Sequence, residues 1–149
     1  LSDSLLALQV DALLENEHDL VANLANSAAL LYQELPDINW AGYYLYDKTN
    51  QQLNLGPFQG KVACMHIELG SGVCGSAFAS QKIQRVANVH EFPGHIACDS
   101  ASNSEIVLPL TKNSQQIGVL DIDSPLLDRF SPEDEDNLTE FRNRLLEHL

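Results

Sequence analysis

Two apolar runs of strand length, EIVLPL at residues 105–110 and QIGVLDID at 116–123, stand five residues apart. So short a gap, with a polar Lys-Asn-Ser-Gln turn in it, allows only an antiparallel hairpin, because a parallel pair needs a crossover of about a dozen residues or more. INWAGYYLYDKTNQQLNL, residues 38–55, repeats the arrangement: aromatic and aliphatic residues, an Asp-Lys-Thr-Asn turn, then a second short strand. KVACMHIEL at 61–69 is a further strand candidate, and QRVANV at 84–89 a brief one. Helical patterns flank the strands. Leu20, Leu24, Ala28, Leu31 and Leu35 recur at helical spacing until Pro36, and a shorter helix is expected over about residues 4–15, broken near Asn16. At the other end Ser131 suits an N-cap, Pro132 the first helical position, and Glu133 and Asp134 the positive helix terminus; Leu138, Phe141, Leu145 and Leu149 form the apolar face. The order predicts an α+β fold: a mostly antiparallel sheet of five or six strands, N- and C-terminal helices on one face, and a site under loops on the other.

The long hairpin also poses a question of register. Alternation places Ile117, Val119, Asp121 and Asp123 on one face of their strand, so two aspartates continue an apolar stripe. A two-residue turn would put Glu105 on the opposite face from both, whereas a three-residue loop would set it opposite Asp123. In the second case three carboxylates converge and repel one another unless a cation binds or one acid stays protonated. Otherwise the aspartates are a solvated strand end.

The 149 residues fit one domain, 1–149, with a single core. A formal charge of −13 with eight basic residues argues against nucleic acid or an anionic membrane as partner. No apolar run has the length of a membrane span, and no signal-peptide pattern is present. Three cysteines, an odd and sparse set, fit a reducing cytoplasm better than a secreted disulfide scaffold. Cys64-x-His66 and His95-x-x-Cys98 offer zinc-ligand types, but no Cys-x-x-Cys pair exists and each ligand lies in a different element, so no metal site is expected; His66, His90 and His95 read as ordinary hydrogen-bonded residues. Gly70, Gly72 and Gly75 match G-x-G-x-x-G, yet the helix that follows has room for about two turns, too short for a dinucleotide-binding crossover. Cys74 falls in that helix's first turn, where backbone N–H groups are expected to lower its pKa.

INWAGYYL, LGPFQGKVACMHIELGSGVCG, HIACDSASNSEIVLPL and GVLDIDSP together resemble the free methionine-(R)-sulfoxide reductases, which are stand-alone GAF-domain enzymes. The resemblance runs from about residue 38 to 132 and includes all three cysteines. It implies thiol-dependent reduction of free methionine-(R)-sulfoxide, with Cys98 as nucleophile, Cys64 as resolving thiol, and Cys74 as a rival nucleophile or second recycling thiol. It further implies that Glu105, Asp121 and Asp123 are the pocket carboxylates, that Trp40 walls the site, and that the loop around Cys98 offers N–H groups to the substrate carboxylate. No cofactor is implied; a thioredoxin-type reductant and a homodimer are. A GAF-type sensor that binds a small ligand without chemistry is the competing reading, since fold alone does not decide function. Three cysteines beside three acids are more than a sensor needs.

Overall fold

The structure, a computed structural model, describes residues 4–95 and 101–149. Its helices are α1 (Leu5–Leu13), α2 (Leu20–Glu34), α3 (Gly72–Ser80) and α4 (Pro132–Glu147), with a 3₁₀ turn at Val89–Glu91. Its strands are β1 (Trp40–Asp47), β2 (Gln52–Gly60), β3 (His66–Glu68), β4 (Gln84–Val86), β5 (Ser104–Lys112) and β6 (Gln115–Ser124). They form one six-stranded sheet in the order β3-β2-β1-β6-β5-β4, with every neighbouring pair antiparallel. Among the described residues no helix is long and apolar enough to cross a membrane.

Strand alternation divides the interior into two layers. Ala41, Tyr43, Ile106, Leu108, Leu120 and Ile122 point to one face and pack with Leu24 and Leu31 of α2 and with Leu138, Phe141 and Leu145 of α4. The terminal helices therefore share one face, as their apolar stripes predict. Each begins with a side-chain cap: Ser4 for α1, Asp19 for α2, and for α4 a reciprocal box between Ser131 and Asp134. Asp11 ties α1 to the end of the chain, with one carboxylate oxygen 2.6 Å from Arg144 and the other 2.8 Å from His148.

The opposite face carries Trp40, Tyr44, Val107 and Val119 beneath Val73, Ala77 and Phe78 of α3. In sequence α3 lies between β3 and β4, which are the two edges of the sheet, so the connection that contains this nine-residue helix crosses the whole face. That topology, joining antiparallel edges, disposes of the dinucleotide reading of Gly70, Gly72 and Gly75. The expected strand at 61–69 shrinks to His66–Glu68. Lys61–Cys64 leaves the ladder, with two of its carbonyls met by side chains: Trp40 Nε1 donates to that of Lys61 and the Tyr44 hydroxyl to that of Cys64, while the Leu55 N–H of β2 still donates to that of Met65.

The register of the long hairpin combines the two alternatives open in the sequence. The turn is a two-residue one at Asn113 and Ser114, with φ of 52° and 65°. By itself it would put Glu105 out of phase with the aspartates. Between the Thr111↔Gln116 and Leu110↔Gly118 pairs, however, β6 carries one extra residue, Ile117. This bulge advances the register by one, and Glu105 pairs directly with Asp123, Val107 with Asp121. Gly118 makes the bulge possible. Its φ is +156°, and a Cβ there would lie 2.1 Å from the Tyr44 carbonyl oxygen. Gly118→Ala is expected to destabilise the protein by about 1–3 kcal/mol, the range for a core forced off its preferred geometry; urea unfolding measures it, and parental stability would show the bulge to be dispensable.

Candidate active site

The acids meet at the middle of the sheet. Asp121 on β6 has Gly42 of β1 on one side and Val107 of β5 on the other; Asp123 lies between Trp40 and Glu105. Glu105 is 8% exposed and Asp121 5%. Opposite them, the start of α3 brings in the Cys74 thiol, with Sγ 3.9 Å from Glu105 Oε2. Cys74 Sγ, a Glu105 oxygen and an Asp121 oxygen all lie within 4.8 Å of one another. Asp121 Oδ1 is buried without a hydrogen-bond partner.

These groups border a cavity of about 50 Å³, walled by Trp40, Tyr44 and Ile67, with Val62, His95 and Ser102 also in its lining. No lysine or arginine lines it among the described residues. Three carboxylates thus share this hollow, and the described residues of its lining bring no lysine or arginine to them. A larger groove, of about 570 Å³ between Leu20, Tyr46, Ile117 and Leu149, contains neither acid nor cysteine.

Electrostatics follow from that crowding. Burial, then repulsion from Asp121 and Asp123, pushes the Glu105 carboxyl well above the usual carboxylate range. Asp121 is raised as well, chiefly by burial, while hydrogen bonds to Glu105, Asp123 and Cys74 oppose the shift. Cys74 corrects an expectation. Its place in the first turn of α3 was expected to lower its pKa; burial and the neighbouring Asp121, Glu105 and Asp123 raise it well above the ordinary thiol value. A short helix's dipole is outweighed by desolvation and three nearby acids. The thiol of Cys74 is therefore held protonated.

All the site residues anticipated within the described segments converge here except Cys64. Its backbone sits at the rim, where its carbonyl receives the Tyr44 hydroxyl at 2.8 Å. Cys98, the loop N–H groups around it and the meeting of Cys98 with Cys64 lie outside the described residues. His66 and His90 bond to neighbouring amides: His66 Nδ1 is 2.8 Å from Asn54 Oδ1, and His90 Nε2 2.9 Å from Asn103 Oδ1. His95 reaches the cavity, and Tyr44 is a second aromatic wall, stacked on Trp40 at 5.9 Å between ring centroids. The signal for Tyr44 is its spacing: residues 40 and 44 share a face at strand period.

A GAF domain family model matches residues 12–143. The chain is 58% identical over 128 residues to the free methionine-R-sulfoxide reductase of Escherichia coli (strain K12), an alignment covering 86% of this chain and 76% of that one. It is 45% identical over 124 residues to the enzyme of the same name from Saccharomyces cerevisiae (strain ATCC 204508 / S288c), covering 79% and 69%. This chain belongs to the free methionine-R-sulfoxide reductase family. The family resemblance extends through the whole fold: a Staphylococcus aureus free methionine-R-sulfoxide reductase solved in complex with its substrate superposes with a TM-score of 0.91 at 48% identity, covering 97% of this chain and 94% of that one. The architecture described above is accordingly the GAF fold, with the acids on its central strands.

Proposed function

We propose that this protein reduces free L-methionine-(R)-sulfoxide, with Cys98 as the attacking thiolate and the carboxylate cluster as both ammonium anchor and proton donor. One observation carries the reading of the acids: Glu105 and Asp121 are buried side by side, with Asp123 alongside, and the described lining supplies no cationic side chain. Such a hollow suits a ligand that brings its own positive charge and needs a proton. Glu105 and Asp121, the deepest of the three and both raised in pKa by burial, are assigned to the sulfoxide oxygen; Asp123, nearer Trp40, to the ammonium. Ser71 occupies the N-cap of α3 without a side-chain cap bond, so the first-turn N–H groups beside the cavity suit the substrate carboxylate.

In the chemical step the Cys98 thiolate attacks the sulfoxide sulfur while a carboxyl protonates the oxygen. The hydroxyl then passes from the substrate sulfur to Cys98 Sγ as the transient sulfur–sulfur bond and the substrate's sulfur–oxygen bond break; methionine departs with its sulfur reduced by two electrons, and Cys98 is left oxidised as a sulfenic acid. The Cys64 thiol condenses with it, releasing water, and a thioredoxin-type dithiol reduces the disulfide. Cys74, held protonated, is not the attacker; its weak S–H donor faces Glu105.

The test is consumption of thiol in the presence of free methionine-(R)-sulfoxide, with the S-epimer as control. Tight binding without turnover would favour the sensor reading. Glu105→Gln should lower kcat by about two orders of magnitude or more, the usual contribution of a general acid, and wild-type kcat in this variant would remove Glu105 from the proton transfer.

The same substitution makes a stability prediction. Glu105 holds its proton to higher pH folded than unfolded, so above the ordinary glutamate pKa the native state binds the extra proton. Stability is full below that value and declines as pH rises toward the raised folded pKa. Glu105→Gln loses this part of the decline, while that from Asp121 remains. It should melt above the parent at neutral pH by about 2–4 °C, the shift for 1 kcal/mol in a domain of this size, and lose the advantage in acid. Equal melting curves at both pH values would contradict the buried, crowded environment.

A further inference from the structure

The two aromatic residues on the site face of β1 spend their polar atoms on one short segment. Trp40 and Tyr44 are each 2% exposed. A buried tryptophan N–H or tyrosine O–H must find an acceptor. Here Trp40 Nε1–H donates to the carbonyl of Lys61 at 3.1 Å, and the Tyr44 hydroxyl to that of Cys64 at 2.8 Å. Lys61–Met65 joins β2 to β3 without regular structure, and Met65 is tied back by the Leu55 N–H at 2.9 Å. Within the segment Ala63 packs on the core, whereas the flanking Val62 is 87% and Met65 70% exposed.

The donors themselves are firmly seated. Trp40 stacks between Tyr44, at 5.9 Å and 22°, and Phe58, at 5.1 Å and 16°. Both belong to β1, which is paired on each side within the sheet. Burial and the surrounding acids raise the Tyr44 pKa, so its hydroxyl stays a donor throughout the physiological range. A rigid strand thus holds, at two carbonyls three residues apart, the segment that bears Cys64.

We propose that Trp40 and Tyr44 are positioning residues for the recycling half of the reaction, a clamp that holds the Cys64 backbone where its sulfur can reach an oxidised Cys98. This rests on the roles given above to Cys98 and Cys64. In the step concerned, the Cys64 thiolate attacks the sulfenic sulfur of Cys98. A sulfur–sulfur bond forms, the sulfur–oxygen bond breaks, and the oxygen leaves as hydroxide, which takes a proton and becomes water. No atom of Tyr44 or Trp40 is consumed; they act through the place they give to Cys64. Placement at this level controls rate, since a misplacement of about 1 Å can cost on the order of a hundredfold in an intramolecular step.

Tyr44→Phe keeps the ring and removes only the donor. Reduced protein is mixed rapidly with one equivalent of free methionine-(R)-sulfoxide, and two rates are followed: methionine release, which reports the attack by Cys98, and disulfide formation, which reports Cys64. Losing one hydrogen bond should lower the ratio of the second rate to the first by roughly five- to tenfold. Sulfenic acid should accumulate, seen as a dimedone adduct by mass spectrometry, and amide hydrogen exchange should quicken over residues 61–65 while the sheet keeps its protection. Trp40→Phe should quicken exchange at the Lys61 end. An unchanged ratio in Tyr44→Phe, with a normal burst in the parent, would overturn the clamp alone; so would parental exchange at residues 61–65 in both variants. Absence of any methionine release from the parent would overturn the reading of Cys98 and Cys64, and the clamp with it.

Discussion

N-Acetyl-methionine-(R)-sulfoxide is expected to be reduced with a kcat/KM about ten- to a hundredfold below that of the free amino acid, and a methionine sulfoxide inside a peptide with one lower by about two to four orders of magnitude. The first figure follows from removing one charged end. A hydrogen bond to a charged group contributes about 1.5–3 kcal/mol, and each 1.4 kcal/mol is a factor of ten. Acetylation turns the ammonium into an amide and withdraws its charge from the acids. Among the described residues no lysine or arginine lines the cavity to take its place. A peptide loses the carboxylate as well, and with it the charged acceptor for the N–H groups at the start of α3. Steady-state kinetics on the three substrates make the comparison. Equal turnover of free and N-acetylated R-sulfoxide would remove the ammonium from the acids' role while leaving the reductase assignment intact.

Cys98→Ser is expected to abolish even a single turnover, whereas Cys64→Ser should release close to one equivalent of methionine and then stop when thioredoxin is the reductant. The asymmetry arises because the attack needs one sulfur and regeneration needs two. Rapid quench with substrate in excess over enzyme separates the cases. Cys74→Ser is the control: its thiol is buried and disfavoured as a thiolate by three acids, so the burst should persist. A lost burst in Cys74→Ser beside a full burst in Cys98→Ser would make Cys74 the nucleophile.

The architecture could be read from the chain because its determinants are local. Asp47 to Asn50 and Asn113-Ser114 each close a hairpin within a few residues, and the stripes of α2 and α4 announce the face they cover. The convergence of Glu105 with Asp123 could not be so read. It depends on one extra residue at Ile117, tolerated because Gly118 passes close to the Tyr44 carbonyl of a strand more than seventy positions earlier. Cys74 fails for the same kind of reason: helix position is local and pushes its pKa down, while burial among acids is tertiary and pushes it up further. Tyr44 was within reach of strand spacing from Trp40, but nothing in the sequence shows that its hydroxyl is committed to Cys64.

The bulge at Ile117 has a consequence for how this hairpin can change over evolutionary time. The connection between Leu110 and Gly118 acts as a parity element: seven residues lie between them, and that odd number keeps Glu105 in phase with Asp123. Adding or removing two residues at the tip lengthens or trims the hairpin and leaves the acids facing one another. A single insertion or deletion, unless a second one offsets it, turns Glu105 toward the helical layer and withdraws it from the cavity, even though both strands keep their apolar pattern. Length variation here should therefore come in steps of two wherever the chemistry is retained, and an unbalanced odd step would mark a descendant that has kept the scaffold and surrendered the reaction.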